Sequence, residues 1–389
     1  MDKAGLSRGI LFAVSAAFWF AQYAYTPFIN PELLSMGVSA SVMGFVGGAY
    51  GFMQFALRIP IGIGADRCQK KFFISAGSLL AGLSALCMLV FYSPAGFLIG
   101  RTLAGVASST WVPYTVLYAS YYKPEHSTRA ITMLNLAGRS GRIISYLMAG
   151  ALASSFGPRS AFVLSAAGGF LAFIISLFVR EEKPPADREP LNLRGFIDVA
   201  RDLNLLVTTA LATLTQVVAF ATYATFAANH AVYIGATPGQ LGYMNVALLA
   251  PSLALNFCLS KYILARVGAK WLVAAGFFLT AIYCAVLPFT STIPQLYLMQ
   301  ALAGMGNTLT LSLLMGLCVR DIAVENRGAA MGFFQSVFGI GMVVGPLAMG
   351  LMTDQFSLST GFFIMAGVAC VSMLLALAIL RRGKEPGKN

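Results

Sequence analysis

Two arginines one helical turn apart, inside an apolar run, pose the chemical question in this 389-residue chain. Arg139 and Arg142 stand in Gly138-Arg-Ser-Gly-Arg142, within a segment from about 130 to 152 that holds no acid. On a translocon-type scale each costs about 2.5–3.5 kcal/mol at the centre of a bilayer. On a helix their side chains project within about 60° of each other. A forked guanidinium pair matches a carboxylate, sulfonate or phosphate. Backbone carbonyls, Glu32 or a neighbouring helix could also hold the pair. Contact with an anionic substrate is the expectation.

Few other groups in apolar segments can titrate or carry charge. Glu32 and Arg101 are expected at one depth, as an ion pair or a proton-coupling site. His230 is the repeat mate of Glu32 and a second candidate proton site. Four arginines (Arg58, Arg101, Arg139, Arg142) face a single such acid, Glu32. That imbalance favours an anion. Helical phase puts Gln22, Tyr25 and Glu32 on one stripe of the first apolar span, and Gln216, Tyr223 and His230 on one stripe of the seventh. Arg101, Ser108 and Thr115 share a face of the fourth, with Trp111 at its edge, and Gln300 and Asn307 share one of the tenth. These stripes suit the polar walls of a cavity or, equally, hydrogen bonds that glue helices together.

The elements that must position these groups are apolar helices. The chain is 58% hydrophobic and 10% charged, whereas a soluble domain carries about 25% charged residues. Its mean hydropathy is +0.76. Twelve spans are long enough to cross a bilayer: 9–36, 41–65, 72–92, 95–121, 129–154 and 160–180, then 205–234, 239–262, 270–290, 293–318, 327–352 and 359–380. The chain therefore divides into a bundle at 1–180, a linker at 181–204 and a bundle at 205–389. The linker spaces Leu193, Phe196, Ile197, Ala200 and Leu203 as an amphipathic helix on the cytoplasmic surface. Lysines and arginines outnumber acids 26 to 14, and they cluster in alternate loops. That pattern places both termini in the cytoplasm and argues against a nucleic-acid partner. The six cysteines have neither metal-ligand nor redox spacing. No nucleotide-binding loop, metal cluster or nucleophile–base set is present, so an enzyme or an ATP-driven pump is disfavoured, and no metal or cofactor is implied.

The halves repeat at an offset of about 200 residues. Gly37-Val-Ser-Ala-Ser-Val-Met-Gly44 matches Gly235-Ala-Thr-Pro-Gly-Gln-Leu-Gly242, and Arg101-Thr-Leu-Ala-Gly105 matches Gln300-Ala-Leu-Ala-Gly304. After the second span comes Gly62-Ile-Gly-Ala-Asp66-Arg67-Cys-Gln-Lys70-Lys71. This resembles the signature loop of the major facilitator superfamily, with Gln69 where glycine is usual, and the resemblance covers the whole chain. It implies an all-α polytopic membrane protein of twelve transmembrane helices in two pseudo-symmetric six-helix bundles. It also implies a conformational latch involving Gly62, Asp66, Arg67 and Lys71, and a proton-coupling role for Arg101. The fifth span lacks the Gly-Pro motif of many drug/proton antiporters of that family, and a similar pattern stands instead at Gly345-Pro346.

The expectation is a secondary transporter of the plasma membrane, acting as a monomer by alternating access. It would move a small organic anion coupled to protons or to anion exchange. A proton-coupled exporter of amphiphilic drugs is the alternative, and a lipid flippase a second one.

Overall fold

Prolines decide where helices of the first repeat break. In the computed structural model, which describes residues 3–123, 126–181, 201–258, 264–323 and 326–380, α1 (Lys3–Ala24) stops at Tyr25 and α2 (Thr26–Ser35) begins with Pro27 in its first turn. Pro27 has no N–H for the Tyr23 carbonyl, and Thr26 Oγ1 donates to that carbonyl instead, at 2.8 Å. Likewise Pro113 cannot donate to Ser109, and α5 (Pro94–Ser109) gives way to α6 (Trp111–Ser120). The corresponding places of the second repeat use single π-helical turns rather than proline. Thr222–Phe226 separates α9 (Leu203–Ala221) from α10 (Ala227–Tyr233), and Thr308–Ser312 separates α14 (Ile293–Asn307) from α15 (Leu313–Leu317). The remaining helices are α3 (Ala40–Arg67), α4 (Lys70–Val90), α7 (Ser127–Phe156), α8 (Arg159–Ser176), α11 (Pro238–Cys258), α12 (Leu264–Val267), α13 (Ala269–Val286), α16 (Arg327–Gln355) and α17 (Leu358–Ile379).

Two compact units result. One comprises Met1–Val38, Phe45–Asn192 and Ala236–Tyr243, the other Ser39–Gly44, Leu193–Gly235 and Met244–Asn389. Relative to a division at 180 and 204, the units exchange two short segments at the starts of α3 and α11. In the first unit α1 packs on α7 and α8, and α4 on α5 and α8; in the second, α9 packs on α16 and α17, and α13 on α14 and α17. The repeat expected from sequence is thus a repeat of packing. Its closest approaches are at glycines. A Cβ on Gly105 would stand 2.6 Å from the Tyr50 carbonyl oxygen, and one on its mate Gly304 would overlap the Leu248 carbonyl. Gly141 abuts the Ala16 carbonyl as Gly341 abuts that of Thr213.

Large apolar side chains such as Phe45, Phe52, Leu171, Ile174 and Leu374 are exposed along the helices, as hydrocarbon contact requires. Eight helical stretches among the described residues are long and apolar enough to cross a membrane by length and composition. The breaks at Tyr25 and Thr110 split two of the other expected spans. α7 carries its arginines, and α11 runs up to residues outside the described set. The amphipathic stretch of the linker falls on 182–200, also outside it. Asp202 closes the linker by capping α9, its Oδ1 accepting from Leu205 N at 2.7 Å. Asp354, near the end of α16, accepts from Ala40 N and Ser41 N at 2.8 Å each, at the start of α3.

The glycine contacts predict a graded outcome. Gly141→Ala and Gly105→Ala should lower the melting temperature of the purified protein, since overpacking costs about 1–3 kcal/mol. Gly316→Ala, with nothing within 4 Å of the new methyl, should leave it unchanged or slightly raised. Equal melting temperatures for all three would contradict the packing.

Candidate functional site

The glycines flanking the arginines exist for α1. Gly141 lets α7 press against the Ala16 backbone, and a Cβ on Gly138 would stand 2.6 Å from Trp19 Cδ1. With the two backbones this close, Arg142 reaches across α1. Its Cζ lies 4.2 Å from the Trp19 ring centroid and 4.1 Å from that of Tyr23, two residues spaced four apart on one face of α1. A desolvated cation–π contact contributes about 2 kcal/mol, so two such contacts offset the ~2.5–3.5 kcal/mol cost of the charge without any carboxylate. Both rings stand against the guanidinium carbon. Its Nε is buried and has no hydrogen-bond partner. Arg139 is half-buried on the same side of α7, close enough for the two charges to act on each other.

Further rings and donors of the first unit extend this wall. Trp111, beside the helix break at Thr110, meets Trp19 edge-on at 5.0 Å and stacks on Tyr114 at 5.5 Å. Tyr146 of α7 meets Tyr23 edge-on at 6.1 Å. Buried Arg101 of α5 has its Cζ 4.3 Å from the Tyr50 ring centroid. Tyr50 in turn donates its hydroxyl to Ser108 Oγ at 2.9 Å. Gln22 Nε2 donates to the Ala104 carbonyl at 3.1 Å. Below Tyr50 on α3, Arg58 Nη2 donates to Gln54 Oε1 at 2.6 Å. Tyr50 and Gln54 were absent from the sequence candidates, although Tyr50, Gln54 and Arg58 recur at four-residue intervals along one face.

Two sequence expectations change. The Glu32–Arg101 ion pair does not form. Glu32 accepts a hydrogen bond from the Tyr92 hydroxyl, and the Arg159 Cζ lies 4.2 Å from the centroid of that same ring. A shared depth left the direction around each helix undetermined, and Arg101 turns to Tyr50. Tyr25 is wholly buried and stacks on Phe162 at 5.8 Å; the break at that residue resets the helical phase, so the stripe with Gln22 and Glu32 is lost. Of the latch residues, Lys71 is bonded within its own unit. Lys71 N donates to Glu181 Oε2 and Lys71 Nζ to the Leu177 carbonyl, both at 2.8 Å, and Lys70 pairs with Glu181 at 3.9 Å. Gly62 lies against Val112, while the side chains of Asp66 and Arg67 lie outside the described residues.

The second unit presents amides and hydroxyls. Gln216 is buried beside Gly341, Tyr223 meets Tyr283 edge-on at 6.2 Å in the first π-turn, and Asn307 ends α14 with a buried Oδ1 that has no hydrogen-bond partner. His230 Nε2 lies 2.9 Å from Thr290 Oγ1 and 3.1 Å from its carbonyl oxygen, a bonding arrangement that ties it to the segment after α13.

A family model described as Major Facilitator Superfamily matches residues 11–231 and 205–389. An uncharacterized MFS-type transporter of Methanocaldococcus jannaschii is 24% identical, over 86% of this chain and 89% of its own length. Multidrug resistance protein MdtG of Enterobacter lignolyticus is 26% identical, over 92% of this chain and 88% of its own. Among solved structures, a bacterial homolog of the human lysosomal transporter Spinster, in an inward-facing and occupied conformation, superposes with a TM-score of 0.81 at 16% identity, covering 97% of both chains.

The Glu32–Tyr92 contact predicts a reactivity change. Tyr92→Phe should speed carbodiimide modification of Glu32 several-fold, read by mass spectrometry of the Glu32 peptide. An unchanged rate would mean that the hydroxyl does not shield the carboxylate.

Proposed function

Because the chain belongs to the Major Facilitator Superfamily, we propose that it is a secondary transporter working by alternating access, and that its first unit recognises a small organic anion with an apolar or aromatic body. The observation that carries this reading is Arg142, set against Trp19 and Tyr23 and paired with no acid among the described residues. The anionic group of the substrate accepts from the N–H edges of Arg139 and Arg142, which relieves the repulsion between them. Its body lies against the rings of Trp19, Tyr23 and Trp111. Arg101, held over Tyr50, adds to the positive field that draws the anion in.

Glu32 is the group we assign to proton coupling. Protonation removes its negative charge at the Tyr92 and Arg159 cluster and frees that end of the first unit to rearrange. Arg101 acts on the substrate rather than on Glu32, and His230 serves the second unit as a bonded hinge group. In this reading the protein is monomeric and lies in the plasma membrane with both termini cytoplasmic.

A second reading is a proton-coupled drug exporter. The name of the MdtG relatives and the density of aromatic rings around Trp19 favour it. The guanidinium groups count against lipophilic cations as its cargo.

Proteoliposomes separate the two. With aromatic carboxylates and phosphonates as cargo, Arg142→Gln and Arg139→Gln should each lower counterflow at least tenfold, about 1.4 kcal/mol of recognition, while the melting temperature stays within a few degrees. Glu32→Gln should abolish pH-driven uptake but keep counterflow. If the wild type moves lipophilic cations and not anions, and neither arginine variant alters that rate, the exporter reading replaces the anion carrier.

A further inference from the structure

The first unit has a second basic site, apart from Arg139 and Arg142, built from the start of α1 and the junction of α6 and α7. A cavity of about 520 Å3 is lined by Arg8, Tyr122, Lys123, His126, Arg129 and Met133. Arg8 is fixed there. Its Nε donates to the Tyr121 carbonyl at 2.9 Å, its Nη2 donates to the same oxygen, and its Cζ lies 4.4 Å from the Tyr122 ring centroid. Two of its five N–H donors are thereby used at the C-terminal end of α6, and the rest remain for another acceptor. Lys123, His126 and Arg129 are exposed and pair with no described acid. Glu125 of the same loop lies outside the described residues; counted from sequence, Arg8, Lys123 and Arg129 still exceed it by two charges.

The second unit reveals what such a place accepts. There Asn204 Nδ2 donates to the Leu317 carbonyl at 2.9 Å, as Arg8 does to that of Tyr121, and the donor and acceptor are offset alike from their counterparts. Beside it the chain supplies its own anion. Asp321 pairs with Arg320 at 3.1 Å and accepts from Asn204 at 3.4 Å. At the offset that relates Arg8 to Asn204, Asp321 corresponds to Glu125, which lies outside the described residues. Among the described residues, the second unit sets a carboxylate against the helix end, and the first sets Arg8 and a cavity with three further basic groups there. A topology signal needs the charges alone; it needs neither the clamped Arg8 nor a cavity beside it.

We propose that the Arg8–Lys123–His126–Arg129 cavity binds a phosphate-bearing ligand, whose phosphate accepts from the Arg8 donors not used by the Tyr121 carbonyl and from Lys123 and Arg129. The ligand chemistry is a phosphodiester or phosphomonoester, from an anionic lipid headgroup or a soluble phosphate compound. The cavity is large enough for a headgroup beyond the phosphate, and Met133 gives it an apolar wall. The site is independent of the transport reading above, since none of its residues belongs to the α1–α7 wall.

The test uses the full chain in nanodiscs of phosphatidylcholine alone or with one third phosphatidylglycerol, and separately in neutral detergent with millimolar inorganic phosphate. Readouts are melting temperature and retained lipid by native mass spectrometry. Variants are Arg8→Gln, the double variant Lys123→Gln with Arg129→Gln, and the control Arg327→Gln in the second unit. The double variant keeps the Arg8–Tyr121 contact and guards against a folding defect in Arg8→Gln. If phosphatidylglycerol stabilises and is retained by wild type and control, with at least a tenfold weaker hold in the double variant, the site is upheld with a lipid source. Stabilisation by inorganic phosphate with the same loss upholds it with a soluble source. Binding that the double variant leaves unchanged, or no binding of either probe by wild type, overturns it.

Discussion

A half-buried guanidinium group paired with no described carboxylate is the constraint on which the first unit is built. Arg142 is stabilised by the faces of Trp19 and Tyr23, and that contact requires α1 and α7 to approach within backbone distance. Gly138 and Gly141 permit the approach. The rings of Trp111, Tyr114 and Tyr146 then pack around the first two. The result is a wall that is apolar in bulk and cationic at one edge, suited to a ligand with the complementary arrangement. Replacing the rings with an acid would neutralise the arginine and remove that suitability.

The repeat lets each unit act as a control for the other. Both use glycines at matching points to bring helices together, and both interrupt the same two helices. The first unit breaks them with proline, which deletes one N–H donor. The second inserts a π-turn, which shifts the hydrogen-bond register and keeps the donors. The scaffold is therefore shared while the lining differs. Arginines and aromatic rings face the first unit's wall, and amides and hydroxyls the second's. The same comparison exposes the clamped Arg8, because its counterpart Asn204 makes the same bond to a helix end with a neutral side chain.

Much of this was legible in the sequence. The length of the apolar runs indicated the helices, and the constant offset of matching glycines indicated the repeat of packing. The spacing of Arg139 and Arg142 put them on one side of one helix, and their flanking glycines signalled close backbone approach. Three features were not legible, for related reasons. Glu32 was matched to Arg101 by depth alone, but the neighbour that a side chain meets depends on rotation about both helix axes. Tyr25 was assigned a face on the assumption of an unbroken helix, and Pro27 resets the phase just there. Arg8, Lys123 and Arg129 read as topology charges because a loop sequence does not reveal that it encloses a volume with the start of another helix. Tyr50 was overlooked because it looks like a core aromatic until its hydroxyl and its ring are seen to serve Ser108 and Arg101.

The most direct test of the account is a double-mutant cycle on unfolding stability between Trp19→Leu and Arg142→Leu. If rings hold the buried charge, the cycle should give a coupling of about 1–2 kcal/mol, with the double variant more stable than the sum of the single losses implies. Additivity within about 0.3 kcal/mol would mean that Arg142 is held by something other than these rings, and the wall described here would lose its foundation.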